Sequence, residues 1–137
     1  MRRVICAVVS AALLGGCSLK QGMETANKEV AQFHRQLDEG RYSEIYKNSA
    51  PDMRGAADET KLTRLLTAVH TKLGAVHSTA QQGINVNTST QGSFISASYA
   101  TKFAKGSGQE QFVYRIGLNG KPQLAGYHIN SDELIYN

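Results

Sequence analysis

The chain has 137 residues and a formal net charge of +4 at neutral pH, from 15 basic and 11 acidic side chains. Two of the basic residues, Arg2 and Arg3, stand at the extreme N-terminus, and without them the balance falls to 13 against 11, a net charge of +2. So small a charge gives no support to nucleic-acid binding or to a patch for anionic membranes. A length of this order corresponds to one domain with one hydrophobic core.

The start of the chain has the layout of a secretory signal peptide. A positively charged beginning is followed by an apolar stretch over residues 4–14, which is too short to cross a bilayer. The stretch ends in Leu14-Gly15-Gly16-Cys17. This run resembles the lipobox of bacterial lipoproteins, in which a leucine and two small residues precede a cysteine. The resemblance implies a signal peptide over residues 1–16, cleavage before Cys17 and a diacylglyceryl group on the Cys17 thiol.

The lipobox also implies a location. Two or more acyl chains on Cys17 would hold the protein firmly on a membrane, since each buried CH₂ contributes about 0.8 kcal/mol. Ser18 follows the cysteine, where lipoproteins retained in the inner membrane carry an aspartate, so the resemblance implies the outer membrane of a bacterial envelope, with the domain facing the periplasm. The alternatives are an ordinary signal with a coincidental cysteine, or an uncleaved apolar core segment. Because Cys6 leaves with the leader, no disulfide or thiolate metal site is predicted.

Residues 17–22 are predicted to be a short polar, lipidated tether, and residues 23–137 a single domain. The domain begins with an amphipathic helix whose apolar residues recur at intervals of three and four, which places them on one face. They are Met23, Ala26, Val30, Phe33 and Leu37. Gly40 is expected to end this helix. A shorter helix is predicted from an N-cap at Ser43 to a point before Pro51.

A longer helix follows a predicted loop over residues 52–57. Asp58 is a suitable N-cap, and Gly74 is expected to end the helix in a conformation with positive φ. Between them lies the clearest amphipathic pattern in the chain. It consists of Leu62, Leu65, Leu66, Val69 and Leu73.

After Gly74 the apolar period changes from about 3.6 residues to 2, which indicates β-strands. Alternating residues that are expected to face the core run through Val76–Ala80, Ile84–Thr88, Ile95–Phe103, Phe112–Leu118 and Ala125–Ile129. Turns are predicted at Gly83, Gln91-Gly92, 105–108 and Asn119-Gly120, the last as a type I′ turn. Each strand has one apolar face, so one face of the sheet must be covered by the helices. The fold is therefore predicted to be α+β, with N-terminal helices packed on a four- to five-stranded antiparallel meander sheet.

The order of the elements supports a second resemblance. A helix with Phe33 and Leu37 leads through Asp38-Glu39-Gly40-Arg41-Tyr42 to a short helix, and the meander closes in the run from Gly120 to Tyr127. This arrangement resembles small lipoproteins of unknown function with an NTF2-like or cystatin-like fold. In such folds the helix and the curved sheet can hold a ligand between them. The resemblance makes Tyr99, Tyr114 and Tyr127 weak candidates for ligand binding, the alternative being core aromatic rings with satisfied hydroxyl groups.

Few other residues suggest chemistry. His34 and Asp38 lie four apart on the first helix and could share a metal ion, but no third ligand is evident, so an exposed pair without a metal is predicted. No nucleophile elbow and no Gly-rich phosphate loop occur, so no cofactor is predicted. An enzyme of the ketosteroid-isomerase type would need a buried carboxylate beside a tyrosine. The strands from Gly74 to Thr101 carry no carboxylate, and no base is evident.

The sequence therefore favours a non-enzymatic interaction or accessory module of the envelope. Its partners would be the membrane, through lipid on Cys17, and an envelope protein or glycan; no nucleic acid is expected. The alternative is a domain that binds a small ligand between helix and sheet. For a docking partner, the outer face of the sheet is predicted to be uncharged and rich in hydroxyl and amide groups. Its residues are Asn85, Asn87, Ser89, Ser96 and Ser98.

Overall fold

The computed structural model of the chain describes residues 14–136, which form five helices and four strands. The helices are α1 (Leu14–Asp38), α2 (Tyr42–Lys47), α3 (Pro51–Ala56), α4 (Glu59–Leu73) and α5 (Asp132–Tyr136). The strands are β1 (Val76–Ser89), β2 (Gly92–Phe103), β3 (Gly106–Ile116) and β4 (Pro122–Asn130). Residues 1–13 of the predicted signal peptide, with Cys6, lie outside the described residues. Within the described part, no helix is long and apolar enough to span a membrane.

The four strands form one antiparallel sheet in the order β1-β2-β3-β4, so each strand pairs with the next along the chain. The helices cover one face of this sheet, and the core lies between them. Helical residues of the core include Ala26, Val30, Phe33, Leu37, Leu62, Leu66, Val69 and Leu73, and sheet residues include Ile95, Ala97, Tyr99, Phe103, Phe112, Tyr114 and Leu124. The predicted fold class, helices followed by a meander, is confirmed.

The first helix, α1, begins well before its predicted start. It is helical from Leu14 and continues through residues 17–22, for which a polar tether was expected. Gly22 is buried, and a Cβ atom on it would lie 2.6 Å from Val86 Cγ2 on β1. Only a residue without a side chain permits so close an approach, so Gly22 lets α1 pack directly on the sheet. Met23 was expected in the core and is instead exposed.

The segment between α2 and α4 is partly helical, and the loop predicted over residues 52–57 is wrong for most of its length. Pro51 occupies the first turn of α3, where its fixed φ suits a helix and its missing N–H costs nothing. Met53 then turns into the core. Just before α3, the backbone N–H of Ala50 donates to the carbonyl oxygen of Leu124 at 2.8 Å, which fastens this segment to β4.

The long helix α4 follows its prediction closely. Asp58 caps it by accepting a hydrogen bond from the Lys61 backbone N–H at 2.8 Å, and Gly74 ends it with a φ of 79°. Four of the five apolar residues of its stripe are buried, but Leu65 is 37% exposed. The stripe is therefore narrower than predicted, because α4 faces the core along the line of Leu62, Leu66, Val69 and Leu73.

Three of the predicted turns differ in the structure. Gly83 lies inside β1, at a shift of pairing register between Gln81 and Gly83, so it belongs to an irregularity of one long strand and not to a turn between two. The Asn119-Gly120 loop is not a type I′ turn, because that turn needs positive φ at both residues and only Gly120, at 74°, has it. Instead, Gly120 N–H bonds to the Gly117 carbonyl oxygen at 2.9 Å. The predicted turn over 105–108 is also shorter, since β3 begins at Gly106.

The predicted facing of the sheet is confirmed in β2. Alternate residues of this strand are buried under the helices, and the residues between them face outward. The buried set is Ile95, Ala97, Tyr99, Thr101 and Phe103. On the outer face, Asn85, Asn87, Ser89 and Ser96 are exposed and Ser98 is half-buried. The outer face is thus uncharged along the first two strands up to Thr101, as predicted.

Neighbouring leucines of α4 provide a test of this packing. Leu66 is fully buried, whereas Leu65 is partly exposed. We expect Leu66→Ala to lower the free energy of unfolding by about 2–5 kcal/mol, because it leaves a cavity under the sheet. Leu65→Ala, the matched control, should cost much less. Urea denaturation of both variants would measure the difference, and equal losses would contradict the described facing of α4.

Candidate functional site

The three candidate tyrosines meet around one phenylalanine on the inner face of the sheet. The ring of Phe112, which is fully buried, has its centroid 5.8 Å from Tyr99, 6.2 Å from Tyr114 and 5.1 Å from Tyr127. Phe33 of α1 packs on the same cluster, 5.0 Å from Phe112 and 4.8 Å from Tyr127. The alternation of β2, β3 and β4 brings these rings together, because residues two apart on a strand share a face. Their three hydroxyl groups nevertheless have different surroundings.

A buried carboxylate, Glu110 of β3, lies beside Tyr127. The side chain of Glu110 is 0% exposed. Its Oε2 accepts a hydrogen bond of 2.7 Å from the Tyr127 hydroxyl, and its Oε1 lies 2.8 Å from Nε2 of His34 on α1. Burial, followed by the charge of Glu110 and the hydrogen bond to it, raises the pKa of Tyr127 well above its ordinary value. Tyr127 therefore remains a neutral phenol that donates to Glu110.

This network corrects two sequence predictions. His34 was expected on an exposed face with Asp38, but it is buried and contacts Glu110. Asp38 instead accepts hydrogen bonds from the Val76 backbone N–H at 3.2 and 3.3 Å, and one of its oxygens lies 3.8 Å from His70 Nδ1. The two residues therefore share no site. Among residues 14–136, no group of three or more His, Cys, Asp and Glu is placed to hold a metal ion.

Glu110 is not among the site residues predicted from the sequence, although its position in β3 indicates that it faces the core. The sequence pattern assigned Phe112 and Tyr114 to the inner face of β3, and Glu110 has the same parity, two residues earlier. A carboxylate at such a position is not expected to face the core, because carboxylates are seldom fully buried without a partner. The structure supplies two partners from distant parts of the chain.

Tyr99 is satisfied within the protein. Its hydroxyl donates to Asn27 Oδ1 of α1 at 2.9 Å and accepts from Gln81 Nε2 of β1 at 2.9 Å. Burial raises its pKa, and the hydrogen bond from Gln81 opposes that shift. Tyr99 therefore matches the alternative reading of a core aromatic ring with a satisfied hydroxyl group.

Tyr114 is the exception among the three. Its hydroxyl oxygen is buried and has no hydrogen-bond partner among the described residues. Burial raises its pKa well above the ordinary value, and the charges of Glu29, Tyr99 and Glu110 add to the shift, so the group stays a neutral phenol. Buried polar atoms are nearly always paired, and one that is not calls for a partner such as a water molecule or a ligand.

Tyr114 also lines a cleft of about 360 Å³ between α1, α2 and the start of β4. Its apolar lining is Phe33, Ile45, Tyr114, Pro122 and Leu124, and its polar lining is Lys28, Glu29, Gln32, Gln36, Asn48, Lys121 and Gln123. Burial raises the pKa of the Glu29 carboxyl, while the charge of Lys28 acts in the opposite direction. The size is within the range of small-molecule sites, as is the combination of an apolar floor with a few polar groups.

A family model for proteins of unknown function, DUF4019, matches residues 29–127. The chain belongs to the DUF4019 family. The matched region contains Glu29, the three tyrosines and Glu110, so both the cleft and the buried network fall largely within the family's domain. His34 also lies inside the match, whereas Cys17 precedes it.

Two solved structures are similar to this DUF4019 chain. One, from Catenulispora acidiphila, has a TM-score of 0.52 and 18% sequence identity over 84% of this chain and 94% of that chain. ActVI-ORFA from Streptomyces coelicolor has a TM-score of 0.50 and 15% identity over 80% of this chain and 94% of that chain. At these identities the likeness shows the fold alone, which is α+β of the NTF2-like type. No curated protein matches the chain.

The unequal surroundings of the tyrosines predict unequal effects of removing their hydroxyl groups. Tyr127→Phe should lower the free energy of unfolding by roughly 1–3 kcal/mol, because it leaves an oxygen of buried Glu110 without a donor. Tyr114→Phe should be neutral or slightly stabilising, since it removes an unpaired buried hydroxyl. Urea denaturation of the two variants would test this. A loss for Tyr114→Phe as large as that for Tyr127→Phe would mean that the Tyr114 hydroxyl is paired within the free protein.

Proposed function

We propose that this domain is a non-enzymatic binding module whose cleft between α1, α2 and β4 takes a small ligand. The observation that carries the proposal is the Tyr114 hydroxyl, which is buried beside this cleft and has no partner in the described part of the chain. Glu29, whose pKa is raised by burial, lines the same cleft. Two polar groups that lack good solvation are a cost to the free domain. A ligand that hydrogen-bonds to them would offset that cost.

The buried network does not favour catalysis, although Glu110 beside Tyr127 is the kind of pair that an isomerase would need. A general base must come within hydrogen-bond reach of the proton that it removes. Glu110 is fully buried, both of its oxygens already face donors, and it does not line the cleft. We therefore interpret Glu110 as a structural group and the domain as a binder.

The proposal also places the domain on a membrane. The lipobox ending at Cys17 supports a lipid anchor, in the outer membrane and facing the periplasm. Because α1 runs through residues 17–22, Cys17 would stand roughly 7–8 Å along the helix from Gly22, which packs on β1. The anchor would thus join the domain through a helix and not through the short polar tether that the sequence predicted.

A second candidate is the docking of an envelope protein or glycan on the outer face of the sheet. A shallow depression of about 300 Å³ supports it. Its polar lining consists of uncharged residues, Asn85, Ser96, Ser98 and Gln111. Uncharged polar groups of this kind can hydrogen-bond a partner without the cost of removing charges from water.

Two glutamines distinguish the candidates. Gln123 lines the cleft and Gln111 lines the outer depression, and both are exposed on strands. We expect Gln123→Trp to block retention of small molecules from an envelope extract, as read by native mass spectrometry, because the indole fills the cleft. Gln111→Trp, the matched control, should retain them. Loss with Gln111→Trp instead would favour the outer face, and equal retention by both variants would remove the cleft from consideration.

The anchor has its own test at Cys17. In a Gram-negative host, the wild-type chain should incorporate labelled palmitate and lose its leader, whereas Cys17→Ser should do neither, because the serine hydroxyl does not replace the acylated thiol. Gel mobility and radiolabel would report the two outcomes. Absent labelling in the wild type, or equal labelling in both proteins, would contradict a lipid anchor.

A further inference from the structure

We infer that the ligand of the cleft is a carbohydrate, that is, an uncharged compound with several hydroxyl groups. The inference rests on the proposed function of the cleft and names its ligand class. Three properties of the lining lead to it: the hydrogen bonds that Glu29 and Tyr114 can make, the charges of the lining, and the side-chain amides beside an apolar surface.

Two of the lining groups, Glu29 and Tyr114, determine which hydrogen bonds a ligand can make in the cleft. Glu29 presents a carboxyl group that is partly withdrawn from water, and Tyr114 has a hydroxyl oxygen without a partner. A carboxylate only accepts hydrogen bonds, and a phenol can accept one as well as donate one. The matching ligand group therefore donates to Glu29 and can also accept from the Tyr114 hydroxyl, as a hydroxyl or an amine does.

The charges of the lining select between these two. Lys28 and Lys121 both line the cleft, so a ligand carrying an ammonium group would approach two positive charges. A ligand carrying a carboxylate would be placed beside Glu29. With both signs of charge present in one small cleft, attraction and repulsion partly cancel for a charged ligand, whereas a neutral donor avoids the cost of removing a charge from water. Hydroxyl groups meet this requirement, and amines that are protonated at neutral pH do not.

The rim adds four side-chain amides, and the floor is apolar. Each amide offers both a donor and an acceptor, which matches a sugar hydroxyl that also does both. The amides are Gln32, Gln36, Asn48 and Gln123. Phe33, Ile45 and Leu124 form apolar lining that suits the C–H face of a sugar ring. Few other small compounds combine many hydroxyl groups with an apolar face.

The test uses the full chain in detergent, titrated by isothermal calorimetry and by NMR with three probe sets. The first set is the neutral disaccharides cellobiose, maltose and di-N-acetylchitobiose, the second is the diamine putrescine, and the third is the zwitterionic dipeptide alanyl-alanine. We expect at least one disaccharide to bind, with chemical-shift changes at Gln32 and Gln123. Putrescine and the dipeptide should not bind.

Matched variants locate the binding. Glu29→Gln should raise the dissociation constant about tenfold, because a neutral amide oxygen is a weaker acceptor than a carboxylate. Tyr114→Phe should raise it about fivefold, because it removes one hydrogen bond to the ligand. Tyr99→Phe is the control and should leave binding unchanged, because its hydroxyl bonds to Asn27 and Gln81 and Tyr99 does not line the cleft. Circular dichroism would verify that each variant is folded.

The other outcomes separate the inference from the function on which it rests. Binding of putrescine or the dipeptide in the cleft, without any disaccharide, would overturn the carbohydrate and leave a ligand-binding cleft. If a disaccharide binds Glu29→Gln and Tyr114→Phe as tightly as it binds the wild type, the cleft is not the carbohydrate site. Failure of every probe to bind would count against both the carbohydrate and the binding function.

Discussion

The hydrogen bonds of the Glu110 carboxylate hold α1 in place on the sheet. One oxygen faces His34 of α1 and the other accepts from Tyr127 of β4, so helix, β3 and β4 must meet in one geometry. A fully buried carboxylate costs free energy unless its oxygens are paired, which makes any shift of α1 along the sheet unfavourable. The same placement seats Phe33 against Phe112. The position of the helix is thus set by a polar contact at the centre of an apolar core.

That position also creates the cleft. With His34 fixed over Glu110, the turns of α1 that carry Glu29 and Gln32 lie beside Tyr114 and the start of β4. Tyr114 and Tyr127 lie on neighbouring strands around Phe112, but Glu110 accepts only from Tyr127. Tyr114 is left with a buried hydroxyl that has no partner within residues 14–136. The paired hydroxyl of Tyr127 on β4 therefore lies one strand away from the Tyr114 hydroxyl on β3, which is unpaired among the described residues.

The sequence predicted what short-range periodicity controls. The buried line of α4 and the facing of β2 follow from intervals of 3.6 and 2 residues, and Asp58 and Gly74 bound α4 as their cap chemistry requires. The prediction from sequence failed where a contact between residues far apart in the chain determines whether a side chain is buried. His34 lies one position off the apolar stripe and is buried only because Glu110, 76 residues away, reaches it. No local pattern carries that information. Gly83 likewise has the position that a turn residue would have between two alternating runs, but pairing with β2 keeps it within one strand.

A single helix, α1, connects the proposed lipid anchor at Cys17 with the proposed ligand-binding cleft. The sequence alone predicted a short polar tether after Cys17 and a first helix that begins only after it. The structure instead continues α1 from Leu14 to Asp38, with Gly22 packed on β1 and His34 on Glu110, so the helix does not pivot on the sheet. Twelve residues separate Cys17 from Glu29, which is about 18 Å along a helix axis. Under the proposed anchor, the cleft would therefore lie within about 18 Å, measured along α1, of the residue that carries the lipid, and its ligand would have to be present close to the membrane surface.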